Sequence, residues 1–275
     1  MIDAIQALIL GIVQGVTEWL PISSSGHLAL IQLVMNLQVP IFFDIVLHLG
    51  TLAAVIGIYR SQLLSILKSV KPIRQKNGYI AKEDVQSIEW GRRFLLLIIL
   101  GLIPTALMGI GLRSFFEESF YSMWSIGLGF IVSGVMIFVT KFIDKGTKPI
   151  GKVDAILIGV GQGLSIFSSI SRSGATISVG MFRRIERSEL ITYSFLLSIP
   201  AIVGAGIYDV VFSDNIVQVE ISKIPLESYI IGTLSAGLVG YISIKFLISI
   251  INKGEFYLFS FYCFLLGSLI LVSLI

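Results

Sequence analysis

Long apolar stretches dominate the chain, separated by short polar connections. Runs able to cross a hydrocarbon core of about 30 Å lie near residues 41–59, 94–112, 124–141, 190–208, 228–250 and 256–275, which predicts six transmembrane helices. Gly57, Pro104, Gly134 and Pro200 fall inside these runs. They are tolerated there because lipid leaves the helix as the only economical backbone conformation. Two further apolar segments do not fit a crossing. Residues 4–20 are interrupted by Pro21-Ile22-Ser23-Ser24-Ser25-Gly26, and the return limb ends by Leu37. Gly174 to Phe182 is nine residues, about 14 Å as helix, and too short to span. Both segments are therefore expected to be re-entrant helix hairpins. The expected fold is an all-α integral membrane protein, a single membrane domain over residues 1–275.

Composition excludes the soluble classes. Charged residues make up 13% of the 275 and hydrophobic ones 55%, against about 25% charged in an ordinary soluble domain. The lone Cys263 leaves no intrachain disulfide framework and no cysteine-rich metal site. Met1-Ile2-Asp3 lacks the basic start of a signal peptide, so insertion is expected through the protein's own apolar segments. Of the 20 lysines and arginines, 17 lie in 60–93, 141–152, 183–187 and at Lys245 and Lys253. Arg113 and Lys223 lie with the acidic connections that hold Glu117, Glu118, Asp209, Asp214, Glu220 and Glu227. The positive-inside rule puts the basic set in the cytoplasm and the N-terminus outside, in a cell membrane. The bases read as topology signals and contacts to anionic membrane lipids, with no nucleic-acid partner expected.

The two interrupted segments resemble each other. At an offset of 148 residues, Gly11, Gln14, Gly15, Ser23, Ser25 and Gly26 meet Gly159, Gln162, Gly163, Ser171, Ser173 and Gly174. The two copies enter from opposite faces in this topology, so they are expected to be inverted repeats, one over about 1–112 and one over about 150–250. Interrupted segments at matching positions of such repeats point to a site near the bilayer midplane.

The breaks hold groups that lipid excludes. Glu18, His27 and Arg172 are ionisable residues in apolar surroundings, and each is expensive at that depth unless paired or hydrated. A shared polar cavity lowers that cost and provides a cation for an anionic ligand. Gln14 and Glu18, four residues apart, project from one helix face. Ser25, Ser171 and Ser173 surround half-helix ends, whose N–H groups and positive dipole suit phosphate or carboxylate. Arg172 adds a bidentate fork, and Gly26 and Gly174 permit close backbone approach. His48 lies mid-span outside both breaks and is expected to be structural. Asp44 is expected to be a helix-start residue near the outer surface.

These residues carry a resemblance. QGVTEWLPISSSGH (14–27) and SSISRSGAT (168–176) resemble the two signatures of the undecaprenyl-diphosphate phosphatases, also called bacitracin-resistance proteins. The similarity continues through FDIVLHLGTLAAV (43–55) and YSFLLSIPAIVGA (193–205). It implies hydrolysis of a polyprenyl diphosphate to the monophosphate and inorganic phosphate, which recycles the carrier lipid. It also implies a divalent cation, Mg2+ or Ca2+, a site open to the outer face, and a homodimer. By position, Glu18 is the motif carboxylate and metal ligand, Ser24 and His27 are the motif serine and histidine, and Arg172 is the motif arginine. His27 either attacks phosphorus or deprotonates Ser24. Ser171, Ser173, Gly174, Ser25, Gly26 and Gln14 are expected to bind the diphosphate. Three departures stand out: Ser168-Ser169 replace Pro-Gly, Gln14 replaces a frequent glutamate, and Leu190-Ile191 stand where small residues are common. The competing reading is a flippase for prenyl phosphate lipids, since broken inverted repeats also characterise transporters.

Overall fold

The structure is a computed structural model and describes residues 2–70, 82–111, 122–167, 169–212 and 224–274. The acidic connection with Arg113, Glu117 and Glu118, the later one with Asp214, Glu220 and Lys223, and the bases Lys71, Arg74 and Lys76 lie outside the described residues. So does Ser168.

The described residues form helices joined by short connections, with no strand among them beyond two isolated bridges, Gly146 to Glu186 and Lys148 to Ile185. In chain order the helices are α1 (Ala4–Trp19), α2 (Ser24–Val34), α3 (Ile41–Ile58), α4 (Arg60–Ser69), α5 (Lys82–Gly111) and α6 (Met123–Val139). They continue as α7 (Lys152–Leu164), α8 (Arg172–Phe182), α9 (Arg187–Phe212), α10 (Leu226–Lys253) and α11 (Phe259–Val272). Five stretches are long and apolar enough to cross a membrane: Ile41–Ile58, Val85–Gly111, Met123–Phe142, Arg187–Val211 and Leu226–Lys253. The sixth expected crossing is the shorter apolar segment Phe256–Val272. An apolar core holding Trp19, Phe43 and Phe130 also encloses Gln14 and Thr51, while many large apolar residues such as Leu107, Leu234 and Leu238 are exposed. Many exposed large apolar side chains over an interior that shelters polar ones suit a chain solvated by lipid. The protein is a multi-pass membrane protein.

The two hairpins correspond closely. Ser24–Val34 and Arg172–Phe182 are the same length and begin 148 residues apart. Each is preceded by a serine whose hydroxyl accepts the backbone N–H three residues on, Ser23 from Gly26 and Ser171 from Gly174. Each also ends on a left-handed residue, Asn36 at φ 51° and Arg184 at φ 55°. Leu37 N–H then reaches back to the Gln32 carbonyl, as Ile185 N–H does to that of Gly180. This terminal turn carries no shared residue type, so the correspondence belongs to backbone geometry.

Each hairpin leans on a long helix of the other half, α1 on α10 and α7 on α5. Helix association in lipid relies on close packing at small residues. Gly11 and Gly159, matched by the repeat, sit at these contacts: a methyl group on either would strike the carbonyl oxygen of Gly232 or Gly101. Leu190 is fully buried and covers Gly180. The small residues expected nearby are thus replaced by a leucine that fills the space over a glycine.

The basic segments gather at one end of the bundle. Arg93 pairs with Glu189 at 2.6 Å and donates to the Ile150 carbonyl. Asp154 takes Lys148 at 2.8 Å and Arg183 at 2.7 Å. Arg187 donates to the Ile251 carbonyl at the last turn of α10. At the first turn of the same helix Ser228 donates to the Ile2 carbonyl. The start of the chain and the basic cluster therefore lie at opposite ends of α10, a helix of 28 residues and about 42 Å.

Candidate functional site at the meeting of the two hairpins

The first break follows from local chemistry. Leu20, the residue before Pro21, is extended at φ −67° and ψ 147°, as a residue before proline prefers. Proline has no N–H to continue the helix, so α1 stops at Trp19. Ser23 takes φ 66° and caps α2, which begins at Ser24. The chain thereby folds back over the last turn of α1, where Gln14 and Glu18 lie one above the other.

Glu18 is the hub. It is 4% exposed and lies between both hairpins. Gln14 Nε2 donates to Oε2 at 3.1 Å, and the Ser24 hydroxyl donates to the same oxygen at 2.6 Å. Arg172, 154 positions later and the first residue of α8, pairs with Oε1 through Nη2. Its guanidinium also stands over the Trp19 ring, 5.5 Å from the centroid, a cation–π contact. The tips touch elsewhere too: a methyl group on Gly26 would strike the Ser169 hydroxyl and the Phe130 ring. Carboxylate and guanidinium from remote segments thus compensate each other where neither would be stable alone.

The pair leaves groups unused. Arg172 Nη1 and Gln14 Oε1 are buried with no hydrogen-bond partner among the described residues. Buried polar atoms without partners are rare and call for a reason. At α8 the Ser171 N–H goes to the Ser133 hydroxyl at 2.9 Å and the Gly174 N–H to Ser171 Oγ at 3.1 Å. The Arg172 and Ser173 N–H groups, in the first turn, have no acceptor within the helix. Ser171 and Ser173 Oγ lie 3.3 Å apart, as do Ser23 and Ser25 Oγ at 3.4 Å.

The two histidines behave differently from expectation. His48 reaches the site: Nε2 lies 3.6 Å from Glu18 Oε2, while Nδ1 donates to the Asp44 carbonyl one turn back at 2.8 Å. His48, expected to lie apart from both breaks, thus borders the site at Glu18. An ionisable residue inside a span was itself the signal, but its distance from both breaks in sequence hid it. His27 is engaged elsewhere. Its Nδ1 donates to the Ser23 carbonyl at 2.6 Å, and its Nε2 meets the Tyr262 hydroxyl at 2.6 Å. Among the described residues His27 makes no hydrogen bond or ion pair with Glu18 or Arg172. Asp44 lies in the first turn of α3, where its side chain meets Gln32.

No three histidine, cysteine, aspartate or glutamate side chains converge among the described residues, so a metal would have no cage made of protein alone. Magnesium is commonly held by one or two carboxylates together with substrate phosphates. The Glu18 carboxylate and the unpartnered Gln14 Oε1 are oxygen donors of that hard type, and they fit such a shared arrangement.

Residues 7–269 match the family model described as bacitracin resistance protein BacA. The chain belongs to this family. Among its relatives, the undecaprenyl-diphosphatase of Carboxydothermus hydrogenoformans is 42% identical over 275 residues, covering 98% of this chain and 97% of that protein. The enzyme of the same description from Korarchaeum cryptofilum is 38% identical, over 97% of each chain. That from Desulfosudis oleivorans is 41% identical, over 98% of each. One departure of this BacA-family chain has a structural consequence. Ser169, where the resemblance leads one to expect glycine, is fully buried at φ 61° with its hydroxyl unpartnered among the described residues. The backbone keeps a glycine conformation that a serine now occupies.

Proposed function

We propose that this protein is a membrane phosphatase that hydrolyses a polyprenyl diphosphate of the undecaprenyl type to the monophosphate and inorganic phosphate, recycling a carrier lipid. The observation that carries the reading is the buried Glu18–Arg172 pair beside two unpartnered groups, Arg172 Nη1 and Gln14 Oε1.

Phosphoryl transfer asks a protein chiefly for positioning and charge stabilisation. Arg172 Nη1 and the Arg172 and Ser173 N–H groups grip the terminal phosphate, with Ser171, Gly174, Ser25 and Gly26 shaping the cradle. Once phosphate oxygens share Arg172, Glu18 is less neutralised and a stronger proton acceptor. The Ser24 hydroxyl already donates to Glu18 at 2.6 Å, which supports Glu18 as the base for Ser24 or for a water in its place. His27 remains the other candidate for nucleophile or base. A magnesium or calcium ion would be held by Glu18 and Gln14 Oε1 with phosphate oxygens, and would supply charge neutralisation when bound.

The topology that suits this chemistry has six crossings and two re-entrant hairpins. Seventeen bases on one side put that side in the cytoplasm, with the N-terminus and the site's mouth outside. Contacts of the chain start and of Asp154 with opposite ends of the bundle support entry of α1 and α7 from opposite faces, hence an inverted repeat. The prenyl tail then stays in lipid while the head group enters between the tips. A homodimer is the assembly we expect.

The test is phosphate release from undecaprenyl diphosphate by the purified protein, with and without added magnesium or calcium. Arg172→Ala and Glu18→Ala each lose roughly 10²–10³-fold in turnover, as expected for removing a charge aligned with the transition state. Near-full activity of either variant defeats the assignment. Translocation of prenyl phosphate in vesicles without phosphate release would favour the flippase reading.

A further inference from the structure

We infer that Tyr262, on α11 and outside both signature segments, is a further catalytic residue that caps His27 in one tautomer at rest and turns to the substrate phosphate when it arrives. The inference rests on the phosphatase reading for its consequence, but not for its geometry.

A carbonyl oxygen can only accept, so the His27 nitrogen facing Ser23 O at 2.6 Å carries the hydrogen. In the neutral ring Nε2 is then the lone-pair nitrogen, and it accepts from the Tyr262 hydroxyl at 2.6 Å. The rings are also stacked, with centroids 5.6 Å apart and planes 10° apart, and Phe130 closes the other side edge-on at 5.3 Å. The next residue ties the same helix to the first break: the Cys263 thiol, fully buried, donates to the Pro21 carbonyl at 3.6 Å. Two successive residues of α11 therefore fix this helix against the first break and the start of α2, which carry Ser23, Ser24 and His27. Helix α11 in turn packs along α6, which supplies Phe130.

The nitrogen so capped is the one a reaction needs. Nδ1 is committed to Ser23, so only Nε2 can accept a proton or attack phosphorus, and Tyr262 blocks it at rest. A phosphate oxygen is a charged acceptor and a stronger hydrogen-bond partner than a neutral imidazole. When the diphosphate enters, the tyrosine O–H turns to the phosphate oxygen, and no proton is transferred in that exchange. Nε2 is left bare beside the substrate. It then takes a proton from a water that attacks the terminal phosphorus, while Nδ1–H stays on Ser23. The new P–O bond forms as the bridging P–O bond to the lipid phosphate breaks, and the imidazolium returns the proton to that departing lipid phosphate. Tyr262 is 42% exposed, so the hydroxyl has room to swing.

Two readouts test this in the full-length protein. The chain has two histidines, so nitrogen NMR of histidine-labelled protein shows two imidazoles, and His48→Gln identifies them. Tyr262→Phe should shift the His27 Nε2 resonance and leave His48 unmoved, and adding inorganic pyrophosphate to the unmodified protein should move His27 the same way. In phosphate release, Tyr262→Phe should lower kcat roughly tenfold, the worth of one good hydrogen bond, with KM changed less than twofold. Tyr262→Ala, which also removes the stacked ring, should be worse. A Phe variant with unmoved His27 resonances and wild-type kcat overturns the inference, even if the Ala variant is inactive. Absence of phosphate release by the unmodified protein would defeat the phosphatase reading alone, since the NMR result is independent of turnover.

Discussion

Replacing Glu18 by glutamine removes one charge from the Glu18–Arg172 pair while keeping the shape of the side chain. The Arg172 side chain is 19% exposed and that of Glu18 1%, so the guanidinium is left nearly dry without its counter-ion. Breaking a buried pair by deleting one partner costs about 3–5 kcal/mol. The residual exposure of Arg172 and its contact with Trp19 put the expected loss near the lower end, about 3 kcal/mol. For a chain of this length that lowers the melting temperature by roughly 5–10 °C. An anion should reverse much of this loss, because the orphaned guanidinium can then pair with phosphate. Inorganic pyrophosphate is thus expected to raise the melting temperature of Glu18→Gln more than that of the unmodified protein, although the variant turns over at least roughly 100-fold more slowly. Thermal unfolding in detergent, across a pyrophosphate series, reads both effects. A variant that melts within a degree of the wild type and gains nothing extra from pyrophosphate would refute the charge-compensation account of the site.

Ser169→Gly should stabilise the protein by up to about 1 kcal/mol, since it relieves a left-handed serine and removes an unpartnered hydroxyl, offset by the looser unfolded chain. Ser169→Ala keeps the strain, so a melting scan that ranks alanine above glycine sinks this reasoning. His48→Gln should reduce turnover by no more than about tenfold. The 3.6 Å separation from Glu18 is beyond a hydrogen bond and leaves a screened electrostatic effect; a loss as large as that of Glu18→Gln would make His48 a primary catalytic group. Burial pushes the Asp154 carboxyl up, but hydrogen bonds from Lys148 and Arg183 outweigh it and hold the group below the usual carboxylate range. Its stabilisation is therefore complete at neutral pH and is lost as pH falls below about 4. Asp154→Asn should cost about 1–2 kcal/mol at pH 7, allowing for the solvent exposure of both bases, and the gap to wild type in pH-dependent unfolding should close in acid.

The legible parts of this protein are those where lipid narrows the choices. Ordinary loops can hold charges anywhere, but an ionisable group in an apolar run has few explanations, so Glu18 and Arg172 stood out as partners although 154 residues separate them. The stop of α1 at Trp19 was equally readable, because Pro21 ends a helix by local chemistry alone. The limbs that follow each break, in contrast, begin at Ser24 and Arg172, on capping serines that the apolar pattern does not mark. Contacts made by ordinary-looking residues of distant helices were hidden. Tyr262 sits in FSFYCFLLG, a run that reads as lipid-facing helix, and only the packing of α11 on the first break gives it a polar partner. His48 likewise depends on how α3 turns against α1. Periodicity constrains such a rotation weakly when nearly every side of the helix is apolar. The last apolar run was read as long as its neighbours, yet a short 3₁₀ turn at Phe256–Leu258 begins it and shortens the regular helix.

The likeness of the two interrupted segments stops short of their ionisable groups. At the offset that aligns the hairpins, Ser24 faces Arg172, Glu18 faces Ile166, and His27 faces Ala175. Two identical halves would bring two carboxylates, or two guanidiniums, to the point where the tips touch, and like charges at that depth repel with little water to screen them. Splitting the pair, anion on one tip and cation on the other, makes the empty site neutral and leaves one cation, Arg172, to meet an incoming phosphate. The second half keeps the scaffold without the charge: Gln162 retains the place of Gln14, donates to Thr105 at 3.3 Å, and leaves its own Oε1 unpartnered. The polar groups found in both copies, the Gln14/Gln162 amide and the Ser23/Ser171 and Ser25/Ser173 hydroxyls, are uncharged and can serve either tip without a counter-ion. The break geometry is thus shared by both copies, whereas the ionisable groups can be stable only once, at the single junction where they meet their opposites.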